Sequence, residues 1–204
     1  MDATKLNNKA DIRAILHFPE AVGKHFAFLE GWGFKVIHVE STIVRYASNN
    51  VNINVFIGRS SFAIDAEFQG HNSDLIFYFI DILRLFSCPE AKTYRCYQAD
   101  TAEGVACGVE ILSDVFKKCL TANMFADVTL FSRLENQRNH LAKQYALKTE
   151  LSQARQTVEY AWQKKDYACI VAVFKPLRSV LTASELLKLE YSEKKLKLRG
   201  IREQ

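Results

Sequence analysis

Val51-Asn52-Ile53-Asn54-Val55-Phe56-Ile57 alternates without a break, and every odd position in it is aliphatic. That is the period of a strand with one face buried. Phe62, Ile64, Ala66 and Phe68 repeat the pattern, with Asp65 and Glu67 between them. Ser48-Asn49-Asn50 and Gly58-Arg59-Ser60 fall where tight reversals are needed, and Asn and Gly tolerate positive φ better than other residues. Thr42 to Ser48 and Lys35 to Glu40 supply two more β-rich runs. The stretch from Phe34 to Phe68 therefore reads as a three- or four-stranded antiparallel meander, dry on one face and wet on the other.

Before the meander, Phe18-Pro19-Glu20 has the form of a helix start, with proline in the first turn and a carboxylate near the positive end of the dipole. Val22, Phe26 and Leu29 follow at helical spacing, and Gly31 to Gly33 closes the run. After the meander, Asn72 or Ser73 is placed to cap a helix over Asp74 to Phe86, with Arg84 in reach of Asp81. That helix is apolar nearly all round and is expected to cover the dry face. Tyr94 to Tyr97 reads as a short edge strand or an extended loop.

From Val105 the period is helical: Val105, Val109, Leu112, Phe116 and Leu120 line one face. A short helix is expected around Met124 to Phe131. Ser132 and Glu135 fit a capping box for a helix ending near Lys148, and Leu151, Ala154, Val158 and Trp162 mark another. Asp166 to Phe174 is broken by Pro176, which lacks the amide hydrogen a helix interior needs. Thr182-Ala183-Ser184-Glu185 caps a last helix through Leu196. Sheet first and helices afterwards is an α+β order. The expected organisation is an α+β sheet region over 1–100 and a helical region over 101–204 packed on it, in one continuous globular unit.

The chain has 204 residues, 49% hydrophobic and 12% aromatic, with three prolines and eight glycines, which sets it apart from disordered and low-complexity sequences. Met1 to Asn8 lacks an apolar core and a cleavage pattern. The longest apolar run, Leu75 to Phe86, covers about 18 Å as a helix against roughly 30 Å of bilayer hydrocarbon. The expectation is a cytoplasmic protein with no membrane contact. The five cysteines, at 88, 96, 107, 119 and 169, form no C-x-x-C pair, and the five histidines are scattered. Reduced thiols are expected, with no metal and no cofactor. Residues 161–204 carry ten basic and five acidic side chains, the source of the net charge of +4. A basic helical tail can serve nucleic acid or an acidic partner, but Lys-rich helix surfaces are more often simply solvated.

The wet face of the meander offers Asn52, Asn54 and Phe56 on one strand and Asp65 and Glu67 on the next. An aromatic ring among amides and carboxylates suits a protein-binding surface, unless Phe56 is covered by a later helix. Asp65 and Glu67 also share a face as a Mg²⁺-dependent enzyme would need, although Gln69 stands where such a nuclease site wants lysine. No nucleophile elbow, phosphate loop or dinucleotide fingerprint is present. No catalytic residue is assigned. Ala161 to Tyr191 has the outline of one tetratricopeptide-type unit, with Ala161 and Ala168 allowing close helix approach and Tyr167 filling the angle.

Phe26-Ala27-Phe28-Leu29 through Gly33-Phe34, and Val44-Arg45-Tyr46-Ala47-Ser48 through Val51-Asn52-Ile53-Asn54-Val55, resemble a class of uncharacterised bacterial and immunity-type proteins. These join an aromatic helix, a strand meander and charged helices. The resemblance implies a cognate inhibitor of a secreted or contact-delivered toxin, working by protein–protein interaction. Inhibitors of nucleases are usually acidic and this chain is basic, so its toxin need not be a nuclease, or an acidic wet face alone must serve. The alternatives are a metal-dependent enzyme near Asp65 and Glu67, and an adaptor or regulator using the basic helices of 161–204.

Overall fold

A computed structural model describes residues 13–71 and 73–200, the side chains of 199 and 200 excepted. The readings of Met1 to Asn8 and of Asn72 as a cap fall outside that set. In chain order the elements are α1 (Phe18–His25), α2 (Phe28–Gly31), β1 (Lys35–Glu40), β2 (Ile43–Ala47), β3 (Val51–Ile57), β4 (Ala63–Gly70), β5 (Ile76–Tyr78) and α3 (Phe79–Leu85). A 3-10 turn (Pro89–Lys92) leads to β6 (Tyr97–Gln98), α4 (Ala102–Cys119), α5 (Ala122–Ala126), α6 (Leu130–Gln163), α7 (Tyr167–Phe174), a second 3-10 turn (Arg178–Val180) and α8 (Ala183–Gly200). An amino-terminal helix, an antiparallel sheet and a helical second half make the protein α+β.

The alternation that defines β3 is realised residue for residue: Val51, Ile53, Val55 and Ile57 are buried and the residues between them are half-buried. The sheet runs β1-β2-β3-β4-β5, all antiparallel, and β6 adds to one end of β4. Both expected reversals occur, through Ser48 N–H to the Val51 carbonyl (2.9 Å) and Gly58 N–H to the Ala63 carbonyl (2.8 Å). The left-handed residue at the second is Phe62 (φ 52°), not a glycine or asparagine.

The dry face is covered from the helical side. Phe116 of α4 stacks on Phe68 of β4 (centroids 5.6 Å) and on Phe79 of α3 (4.4 Å). Gly108 lets α4 sit close, since a Cβ there would come within 2.7 Å of Ile64 Cδ1. The hydroxyl of Ser113 donates to the His25 carbonyl (2.8 Å), tying α4 to α1.

Three expectations change. Ile76 to Tyr78 is a strand and not the first turn of a helix, because its backbone completes the β4 ladder opposite Gln69, Phe68 and Glu67. Helix α3 is correspondingly shorter, and Asp81 pairs with Arg138 (3.2 Å) rather than Arg84. The aromatic helix of 18–31 is interrupted at Phe26-Ala27. No break occurs near Lys148: the Ser132 box lies inside a helix that continues to Gln163.

Two compact units result, Met1–Arg138 and Asn139–Gln204. This division does not fall where the hydrophobic period changes, because α4 belongs with the sheet. The second unit has its own core of Ala154, Val158, Ala161, Ile170, Phe174 and Leu189 among others. Asp166 caps α7 through Cys169 N–H (3.1 Å), and Thr182 and Glu185 form the expected box, with Thr182 N–H donating to Glu185 Oε2 at 2.8 Å. Tyr167 does sit between helices, 6.4 Å from Trp162 and 5.8 Å from Tyr191. Ala161 is buried as close approach requires, whereas Ala168 is exposed.

Candidate functional site

The outer face of the sheet is assembled by register. Arg45 on β2, Asn54 on β3, Glu67 on β4 and Tyr78 on β5 stand in one row across four strands, and His38 of β1 extends it beside Arg45. A second row runs Ala47, Asn52, Gln69 and Ile76, and a third runs Glu40, Ile43, Phe56 and Asp65. Side chains on this face order one another. Asn54 Nδ2 donates to Glu67 Oε1 at 2.8 Å, and His71 Nε2 meets Asn52 Oδ1 at 3.0 Å. Phe56 is half-buried, with Ile43 and Asp65 as its partners on the flanking strands.

Asp65 departs from the expected arrangement. It is only 6% exposed. The segment leading into β6 folds over it: the Tyr94 hydroxyl donates to Oδ1 at 2.7 Å, the Cys96 thiol to Oδ2 at 3.1 Å, and Ala66 N–H to Oδ1 at 2.8 Å. Burial, reinforced by the Asp65 carboxylate, pushes the Cys96 thiol up to about 11 and raises the Tyr94 phenol. At neutral pH both groups therefore keep their protons and act as donors. This cluster is a satisfied buried acceptor, and it presents no thiolate nucleophile.

Asp65 and Glu67 point to the same side, as alternation requires, but their oxygens are bound by different intramolecular donors. The four groups that engage them, Tyr94, Cys96, Asn54 and Ala66 N–H, compete directly with any cation. Among the described residues no group of three or more His, Cys, Asp or Glu side chains is gathered in a way that could hold a metal ion.

The accessible part of the face is thus Asn52, Asn54, Glu67 and Phe56 from the expected set. Arg45, Tyr78 and Ile76 join them without having been expected, the last two 47% and 41% exposed. Its charge is mixed. Arg45 and His38 lie on one side and Glu67 on the other, so the face is not an acidic surface. No protein-family model matches the chain, and comparisons with curated proteins and with solved structures give no match either. Arg45 and His38 follow the same two-residue alternation as Asn52 and Asn54, so extending that period to the earlier strands finds them. Tyr78 gives no such signal, because its run is three residues long.

In the second unit the basic surplus is partly neutralised. Arg155 Nε bonds Glu185 Oε1 at 2.6 Å, Lys188 reaches Glu159 at 3.2 Å, and Arg178 lies 3.4 Å from Glu190. The Arg155 hydrogen bond, with Thr182 N–H behind it, holds the Glu185 carboxyl down at about 2. No helix among the described residues is long and apolar enough to cross a membrane.

Proposed function

We propose that this chain is a non-enzymatic protein-binding module of the immunity type, which neutralises a cognate bacterial toxin in the cytoplasm by covering its active surface with the outer face of the sheet. One observation carries the reading: the row Arg45, Asn54, Glu67 and Tyr78, with Ile76 beside it, lies on the sheet face opposite the one that α3 and α4 of the same unit cover. Tyr and Arg are the residue types that contribute most when an interface closes over them. The hydrogen bond between Asn54 and Glu67 keeps their side chains ordered before binding, which lowers the entropy cost of docking.

A mixed face suits a protein surface of mixed charge better than mimicry of nucleic acid, so a toxin with another activity fits it better than a nuclease. The alternative of a metal-dependent enzyme has against it the buried, fully engaged Asp65. The adaptor reading loses part of its basic surface to the ion pairs of the second unit.

The test is co-expression with each toxin that a neighbouring gene proves to encode. Wild-type chain should protect growth, Arg45→Glu and Tyr78→Ala should each weaken protection and raise Kd by about tenfold or more, and Lys143→Glu, on an exposed part of α6, should leave both unchanged. Protection insensitive to Arg45 and Tyr78, or abolished only by Asp65→Asn and Glu67→Gln together with a metal requirement, would sink the proposal.

A further inference from the structure

Among the described residues β1, at one end of the sheet, pairs with β2 on one side only. Natural edges are usually blunted by charges, by prolines, by bulges or by inward-pointing polar groups, and β1 itself carries a lysine, a glutamate and a bulge. Here Val36, Ile37 and Val39 are 45%, 59% and 53% exposed. A shift in register between Val36 and His38 inserts Ile37 as an extra residue. This bulge resets which side chains point where. Lys35 pairs with Ala47, His38 with Arg45 and Glu40 with Ile43, all on the outer face, while Val36 and Val39 pair with the buried Tyr46 and Val44 on the inner face.

We infer that β1 is a self-recognition edge, which joins a second copy of this chain by antiparallel β1–β1 pairing about a two-fold axis normal to the sheet. Residues opposed across antiparallel strands must point to the same face. In an unbulged strand Lys35 and Glu40 lie on opposite faces and cannot be opposed. With Ile37 inserted they share the outer face, and Val36 and Val39 share the inner one. One register then matches the outer ends of both faces: Lys35 opposite Glu40 of the second copy and Val36 opposite its Val39, each repeated by symmetry, with Ile37 opposite the second copy's His38 at the centre.

The two outer pairs are of opposite charge and the two inner pairs are aliphatic, each a favourable cross-strand combination. Glu40 is held at this edge by His38 Nε2 at 2.7 Å, which also lowers its pKa, so the carboxylate is ionised and positioned at neutral pH. The exposed valines would meet one another instead of water, and an isologous contact of this kind closes at two copies. This edge adjoins the row around Arg45 and Tyr78, which His38 of β1 extends.

Sedimentation velocity over a range of concentrations tests the inference on the full chain. Wild type should show a reversible monomer–dimer equilibrium. Val39→Lys, at a position already open to water, should weaken it by about tenfold or more while leaving the melting temperature unchanged. Lys35→Glu and Glu40→Lys should each weaken it by setting like charges opposite, and the double variant Lys35→Glu/Glu40→Lys should restore it. Hydrogen exchange at Val36 to Glu40 should slow as concentration rises. A wild-type chain that stays monomeric, a dimer indifferent to Val39→Lys, or a charge swap that fails to restore association would each overturn the inference. So would concentration-independent protection of β1, which would mean that residues 1–12 of the same chain cover the edge.

Discussion

Asp65 has two protein hydroxyl or thiol donors and one amide donor within hydrogen-bond distance, and removing it leaves the half-buried Tyr94 hydroxyl and the Ala66 amide without that acceptor, while the exposed Cys96 thiol can turn to water. A buried donor left without its acceptor costs about 1–3 kcal/mol, so Asp65→Ala should lower the stability of the first unit by about that amount in urea titration. Asp65→Asn, which keeps one acceptor oxygen, should cost less. Tyr46, buried in the core beneath β2, makes a second prediction. Burial, with a smaller contribution from Glu30, raises its phenol to about 12. A raised pKa leaves stability intact below the unfolded tyrosine value of about 10 and removes it as pH climbs from there toward 12. Stability should therefore fall above about pH 10, and Tyr46→Phe should flatten that fall. An identical alkaline slope in the variant would show that Tyr46 takes no part. None of this was legible in the chain. The donors that bury Asp65 lie 29 and 31 residues further on, and alternation alone assigns a face, not a cover.

Among the elements, what could be read depended on how many periods each displays. β3 shows more than three full alternations and was legible; β5 shows three residues, Ile76 to Tyr78, which suit a strand or a helix equally. Its pairing with β4 and its anchoring from α6 decide the matter. Arg138 donates to the Ile76 carbonyl at 2.7 Å and to Asp81 at 3.2 Å, and its guanidinium lies 4.1 Å from the Phe77 ring centre. Gln137 adds a bond to the Asp81 carbonyl at 3.1 Å. Arg138→Ala should therefore destabilise the first unit by about 1–3 kcal/mol. Arg138→Lys should recover little of it, because an ammonium cannot reproduce the planar guanidinium that lies on the Phe77 ring while its Nη2 donates to both acceptors. Recovery by lysine would show that charge alone matters. The capping box at Thr182 was legible because it is local to four residues. The continuity of α6 was not, since a helix that is polar nearly all round gives no stripe whose phase can be followed across Lys148.

At the scale of the molecule, the two units have hydrophobic clusters with no residue in common. Each contains one tryptophan packed at its margin, Trp32 in the first and Trp162 in the second. Smaller units bury proportionally less surface, so the second should unfold first. Single-tryptophan variants Trp32→Phe and Trp162→Phe should give urea transitions that do not coincide, with the Trp162 signal changing at the lower concentration. Superimposable transitions would mean one cooperative unit and would contradict this. Acid should weaken both units, since the Glu90 carboxyl of the first, bonded to Lys118 and Cys119, is also held down at about 2. The lowered carboxyl of Glu185 contributes stability above about pH 4.5 that is lost as pH falls toward 2. The fold class was visible from the order of periods, but this division was not, because α4 carries the amphipathic pattern of the later helices while packing on the sheet.

Helix α6 is 34 residues long, yet residues 139–146 within it are exposed on every side. Most helices fray from their tips inward; this one is clamped near both tips and bathed in water at its waist. Deuterium should consequently enter the amides around Leu141 to Tyr145 sooner than those near Leu134 or Val158, and a protease should cut there before it cuts either end.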